Sequence, residues 1–153
     1  LSIGSIAVGT PCILEALVCF NEVGDHSALD FNVGLGSGTH ATDADQIVNS
    51  LFAHIDGADA QIYLESDNVA AEVAATDTTI AFVVGTPFLV QWDLRNWADI
   101  QTYVNGVLAL TASVFTLATS AGPIKLLAHL EKSSNDTPGN VTVMRLGLHT
   151  FEE

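Results

Sequence analysis

Basic residues are nearly missing from this chain. Its 153 residues hold 4 Lys and Arg against 18 Asp and Glu, a formal net charge of −14. Phosphate backbones and anionic lipid surfaces are held by clustered Lys and Arg, so nucleic acid and membrane surfaces are excluded as partners. Charge of either sign is scarce: 14% of residues are charged, against about 25% in an average domain. Long hydrophobic runs are also missing. The longest, Ile80 to Trp92, is interrupted by Gly85, Thr86 and Pro87, and a membrane-spanning helix needs about 18 or more apolar residues. Cysteine occurs only as Cys12 and Cys19. On one strand the two thiols point to opposite faces, about 23 Å apart at ~3.3 Å per residue. They cannot bridge there, since a disulfide needs Cα atoms within about 7 Å. Two buried free thiols are expected, as in a protein made in a reducing cytoplasm.

Helix signals are poor too. The best candidate is Val69-Ala-Ala-Glu-Val-Ala-Ala, which is too short to stand as an independent helix. No Gly-x-Ser-x-Gly elbow occurs, and nothing in the order of residues gathers His26, His40, His129 and His149 into a catalytic or zinc-binding set. The chain is read as non-enzymatic, with no cofactor. Leu1 in place of an initiator Met suggests a longer parent chain or missing leading residues, and Leu1–Gly9 does not read as a signal peptide. The pattern Asn-x-Thr occurs at Asn135 and Asn140 and carries little weight without a secretory signal.

What is present is strand pattern. Apolar content of 48% and a mean hydropathy of +0.38 exclude disorder. The length fits a single domain, residues 1–153, large enough to bury its own core. Alternating apolar segments recur between clusters of Gly, Asp, Asn, Thr and Pro. They predict strands near 3–8, 12–20, 30–36, 49–56, 60–66, 79–84, 87–95, 99–105, 107–112, 124–131 and 140–151. The fold class is all-β, a sandwich of two antiparallel sheets. Four alternating sets form the expected core: Phe31/Val33/Leu35, Phe88/Val90/Trp92/Leu94, Ile124/Leu126/Ala128/Leu130 and Met144/Leu146/Leu148.

Asn105-Gly106 predicts a type I′ hairpin, because both central residues need φ > 0. It pairs Val104 with Val107, Tyr103 with Leu108 and Thr102 with Ala109. Both faces of this hairpin are partly apolar, so Tyr103, Leu108 and Leu110 are candidate interface residues, covered by a neighbouring subunit, a layer of loops or a partner. Trp97, in the turn Arg95-Asn-Trp-Ala-Asp99, is either an exposed anchor or an aromatic folded onto the sandwich edge. Asp43 and Asp45 are candidate cation ligands, with Asp56 and Asp59 further on. The favoured reading is a solvated acidic loop, since the ligand pattern of an EF-hand is absent. His54-Ile-Asp56 puts two donors on one strand face, too few for zinc.

The order of segments carries a resemblance. Phe31-Asn-Val-Gly-Leu-Gly, Ala53-His-Ile-Asp-Gly, Phe88-Leu-Val-Gln-Trp-Asp-Leu, Tyr103-Val-Asn-Gly-Val-Leu and a closing strand Val141–Thr150 together resemble the concanavalin-A-like lectin/glucanase jelly roll. That group includes glucanases, sugar lectins, laminin-G-like domains and tailed-phage virion proteins. The glucanases need three acids on alternate positions of one strand. Here Glu65-Ser-Asp67 lacks the third, so the glycosidase reading is rejected.

Two functions are then expected. The first is a decoration or cement subunit on the capsid surface of a bacteriophage virion, assembled in the host cytoplasm. Its partners would be the major capsid protein and copies of itself, in a closed ring such as a trimer. The alternative is a glycan-binding, lectin-like module of a fibre or adhesin, using Trp97, Asn96 and Asp43.

Overall fold

A computed structural model of the chain describes residues 2–24, 29–38, 43–57, 59–133 and 137–151. His26, His40 and Asn135 lie outside the described residues. Among those described there are eleven strands and one 3-10 turn, and no helix is long and apolar enough to cross a membrane. The strands are β1 (Ser2–Ile6), β2 (Cys12–Glu22), β3 (Leu29–Gly36), β4 (Ser50–Asp56), β5 (Gln61–Asp67), β6 (Glu72–Ala81), β7 (Phe88–Asp93), β8 (Gln101–Val104), β9 (Val107–Ala109), β10 (Ile124–Lys132) and β11 (Asn140–Thr150). They form a six-stranded sheet, ordered β1-β10-β3-β4-β5-β6, and a five-stranded sheet, ordered β11-β2-β7-β8-β9. Every pairing is antiparallel. The two-sheet antiparallel sandwich is the fold class the alternation predicts.

The core lies between the sheets. Phe31, Val33 and Leu35 of β3 meet Leu14, Ala16, Val18 and Phe20 of β2 and Phe88, Val90 and Trp92 of β7, all buried. Each large apolar side chain removed from water in this way stabilises the fold by roughly 1.5–3 kcal/mol. Cys12 and Cys19 are free, buried thiols.

Three segments depart from the sequence pattern. Met144 does not share the core face with Leu146 and Leu148. A register shift between Val143 and Arg145 makes Met144 a bulge residue, 56% exposed. Val141 and Val143 pack on the core beside Leu146 and Leu148 in its place. Leu130, at the far end of β10, is exposed. The helix candidate at 69–75 instead turns into strand. The Asn68 side chain accepts from the backbone N–H groups of Ala70 and Ala71 at 3.1 and 2.8 Å, Val69 takes φ 71°, and Glu72 pairs back on Asp67. An Asn that bonds its own downstream backbone competes with helix and sets a turn.

The hairpin has the predicted register, Thr102↔Ala109, Tyr103↔Leu108 and Val104↔Val107. Asn105 and Gly106 take φ 50° and 79°, the signs a type I′ turn requires. Its inner face, with Thr102, Val104 and Ala109, is buried.

Trp97 is a correction. It is 5% exposed and belongs to the core, so it is no anchor for a partner. Its indole N–H donates to the Thr10 carbonyl at 2.9 Å, and its own carbonyl accepts from Leu117 N and Thr116 Oγ1 at 3.0 and 3.1 Å. Trp97 thus ties three loops at one sandwich edge. Trp97→Phe keeps an aromatic body but leaves the Thr10 carbonyl unpaired. We expect a loss of about 1–3 kcal/mol, read as a lower urea midpoint with unchanged m-value.

Candidate functional site

Strand alternation places Asp30 and Asn32 of β3, His54 of β4 and Glu65 of β5 on the outer face of the six-stranded sheet, away from the core. Asn32 pairs with His54, and Phe52 with Glu65, across neighbouring strands. This face is not bare. The 3-10 turn Ala44–Gln46 lies on it, and Ala44 and Ile47 pack with Phe52 and Leu127 in a small second core. Asp43 caps the turn, its carboxylate accepting from Asp45 N at 2.9 Å. The spacing Asp43-Ala-Asp45 therefore has a local purpose: Asp43 starts the turn and Asp45 is delivered to the sheet.

There Asp45 completes a polar cluster. Asn32 Nδ2 donates to Asp30 Oδ1 and to Asp45 Oδ1, both at 3.0 Å. His54 Nδ1 lies 3.1 Å from Asn32 Oδ1, 3.4 Å from Asp45 Oδ1 and 3.7 Å from Asp30 Oδ1. Burial opposes a charge on His54. Its bond to Asp45 and the charges of Asp30, Glu65 and Asp45 outweigh that, and its pKa is pushed up to about 9. Burial raises Asp30 to about 6 against the pull of His54. The bond from His54 holds Asp45 below the usual carboxylate range. Burial, then the neighbouring Asp45 charge, pushes Glu65 up to about 8. At neutral pH the cluster therefore holds an imidazolium beside the Asp30 and Asp45 carboxylates, and Glu65 keeps a proton within reach of Asp45.

Two sets of donors lie within 4.8 Å of one another: Asp30, Asp45 and His54, and Asp30, Asp43 and Glu131. The first set is poorly suited to a metal. A ligating imidazole nitrogen must be deprotonated, whereas His54 Nδ1 faces three acceptor oxygens and holds its proton. The second set offers carboxylate oxygens of the kind Ca²⁺ takes. Asp56 and Asp59 join neither set, and Asp59 instead accepts from Gln61 N at 2.8 Å and Tyr63 Oη at 2.6 Å.

Beside the cluster is a pocket of about 200 Å³, lined by Asp45, Ser50, Glu65, Ser66, Asp67, Glu72 and the small residues 73–75. The register shift between Leu64 and Ser66 falls opposite it: Leu64 pairs with Thr76 but Ser66 with Val73. Strand β6 thus carries an extra residue against Glu65, and the bulge makes the room.

The other candidates are scattered. Tyr103 is half-buried, and Leu108 is 40% exposed on the outer face of the five-stranded sheet. Leu110 is not on an open face. It takes φ 53° and packs partly on the core, because the hairpin ends at Ala109. His149 and Arg145 bond Glu15 on the five-stranded sheet at 3.2 and 3.1 Å, far from the His54 cluster in the topology. His129 stands opposite Asn32 on the neighbouring strand β10, beside the cluster, and pairs with Glu131 at 3.8 Å. The sequence reading missed Asp30, Asn32 and the joint role of His54 and Glu65. The available signal was polar residues on alternate positions of strands otherwise built for a core.

No family model matches the chain, and no curated protein matches it in sequence. Solved structures do match in fold. An alginate lyase of polysaccharide lyase family 7, AlgAT5, superposes with a TM-score of 0.59 at 18% identity, covering 94% of this chain and 60% of the lyase. The carbohydrate-binding module CBM66 from Bacillus subtilis gives 0.56 at 10% identity, covering 94% of this chain and 78% of the module. Sheep galectin-11 gives 0.52 at 13% identity, covering 97% of this chain and 95% of the galectin. The chain is thus similar to nearly a whole galectin but to little more than half of the lyase. These likenesses define the class of fold: a two-sheet antiparallel jelly roll of the concanavalin-A-like kind.

Proposed function

We propose that the chain is a non-catalytic glycan-binding module and that sugar binds in the pocket beside Glu65. The observation that carries this reading is the pocket itself. It is a recess on a sheet face lined by the polar residues Asp45, Ser50, Glu65, Asp67 and Glu72. Carboxylates and hydroxyls accept hydrogen bonds, and sugar hydroxyls supply donors. The carbohydrate-binding module and the galectins among the similar folds support the same class of ligand. A lyase reading has less support, because a carboxylate-lined pocket repels a polyanion such as alginate.

The test is a titration of labelled protein with a panel of neutral, amino and acidic oligosaccharides, followed by NMR. Shifts should cluster at His54, Glu65 and Glu72. A panel that shifts nothing, or shifts only residues 101–109, sinks the proposal.

The capsid-decoration reading keeps one observation in its favour. Val107 and Leu108 leave an apolar edge exposed on the hairpin. Native mass spectrometry separates the two readings. A stable trimer disrupted by Leu108→Ser would favour a subunit that assembles on a lattice. A monomer that binds sugar would favour the module.

A further inference from the structure

Phe52 is fully buried although it belongs to the outer face of the six-stranded sheet. A ring on an outer face stays dry only beneath something that covers it. The cover is the segment 43–49, which runs into β4 at Ser50, where pairing with Gly36 of β3 begins. Two side chains seat it: Ala44 and Ile47 are buried and pack with Phe52 and Leu127. Ile47 lies over Gly36. A Cβ added to Gly36 would meet Ile47 Cγ2 and Phe52 Cζ at 3.4 Å and Leu127 Cδ2 at 3.5 Å. The small size of Gly36 therefore lets the cover lie flat.

Asp45 is the catch. Its carboxylate accepts from Asn32 Nδ2 at 3.0 Å and faces His54 Nδ1 at 3.4 Å. Water reaches about a third of that side chain and can take over these bonds when the cover lifts. Asn49 is the hinge. It takes φ 67°, a left-handed conformation that Asn tolerates better than most residues. It is buried, and its Oδ1 has no hydrogen-bond partner among the described residues. A desolvated acceptor without a donor penalises the shut position and is relieved once water reaches it. A small apolar seat and a catch hold the cover down, and its own hinge opposes them.

We propose that 43–49 is a hinged cover that opens as a unit while the sandwich stays folded. Opening bares the Phe52 ring beside His54 and Glu65. It also withdraws Asp45 from the lining of the pocket, which lengthens into a cleft with an aromatic floor. Such opening needs no ligand, so it stands or falls apart from the glycan-binding reading.

The experiment is native-state amide hydrogen exchange followed by NMR at pH 6.5. The Asp45 and Ile47 amides donate to Asp43 Oδ1 and to the Ala44 carbonyl, each at 2.9 Å. They should share one opening constant, at least ~100-fold larger than that of Val18 and Val90 in the inner strands and unmoved by ~1 M urea, the mark of a local opening. Asp45→Ala removes the catch, and Gly36→Val pushes a side chain under Ile47. Each should raise the ratio of cover opening to core opening, read at Ile47, at least ~10-fold. Leu127→Cys reports what is bared. Its thiol should react with a maleimide faster than Cys12, which is fully buried in the core and is reached only by unfolding.

One opening constant for cover and core would mean that 43–49 moves only when the whole protein unfolds, and overturns the proposal. So does a ratio that stays put in either variant, because catch and seat then do not hold the cover. A Leu127→Cys thiol no more reactive than Cys12 overturns the baring of the sheet face.

Discussion

Gly34→Ala is expected to cost about 3–5 kcal/mol, a large part of the ~5–15 kcal/mol that keeps a typical domain folded. Gly34 sits mid-strand in β3, paired with Phe52 of β4. Its φ is 152°, outside the region L-residues adopt, and an added Cβ would lie 2.1 Å from the Leu51 carbonyl oxygen. That contact is with backbone and cannot be relieved by a rotamer change. Strained backbone and overpacking each cost roughly 1–3 kcal/mol. The strands that must separate are the two that carry Asn32 and His54. Gly36→Ala, two residues on, is the control. Its nearest neighbours would be side chains at 3.4 Å and beyond, so its expected cost is under ~1 kcal/mol. Urea unfolding of both variants gives the comparison, and equal midpoints would refute the argument.

His54→Leu is the second large effect. It fills the space but removes the cation that faces Asp30 and Asp45. Breaking a buried pair costs about 3–5 kcal/mol. Asp30 and Asp45 keep about a third of their side chains in water, so solvent screening reduces this to roughly 2–3 kcal/mol at pH 6.5. The pH dependence has a definite sign. The folded-state pKa of His54 is raised from 6.5 to about 9, so its contribution is complete below 6.5 and is lost as pH rises through 9. Asp30 and Glu65 are also raised, to about 6 and 8. Each therefore adds stability that is present at acid pH and fades as the pH rises through those values. Wild-type stability should fall steadily from pH 5 to pH 9.5. The gap between wild type and His54→Leu should be wide at pH 6.5 and narrow by pH 9.5. Thermal unfolding across that range tests it. A gap that widens with pH would mean that His54 is neutral in the folded protein.

Both effects depend on how strands meet, and this marks what could be read from the sequence. Alternation along Phe31/Val33/Leu35 and Phe88/Val90/Trp92 fixed which residues face inward, because a strand has only two faces and one of them must be dry. Asn105-Gly106 fixed a register, because few residues tolerate two consecutive positive φ angles. Fold class was legible for the same reason: these are local rules repeated along the chain.

The site was legible only in fragments. Asp43-Ala-Asp45, His54-Ile-Asp56 and Glu65-Ser-Asp67 each showed polar residues at strand spacing, but no local rule joins them. Likewise Trp97 could be read as exposed or buried until Thr10 supplied a carbonyl for its indole. The sequence by itself determined an acidic all-β sandwich, its inward faces and one hairpin. Tertiary structure alone decided that Asp30, Asn32, Asp45, His54 and Glu65 share one face, that a bulge in β6 opens a pocket beside them, and that Met144 turns outward. The physical reason is range. Strand periodicity acts over a few residues, whereas the charge on His54 and the proton on Glu65 are set by groups that only sheet pairing and the covering turn bring within about 4 Å.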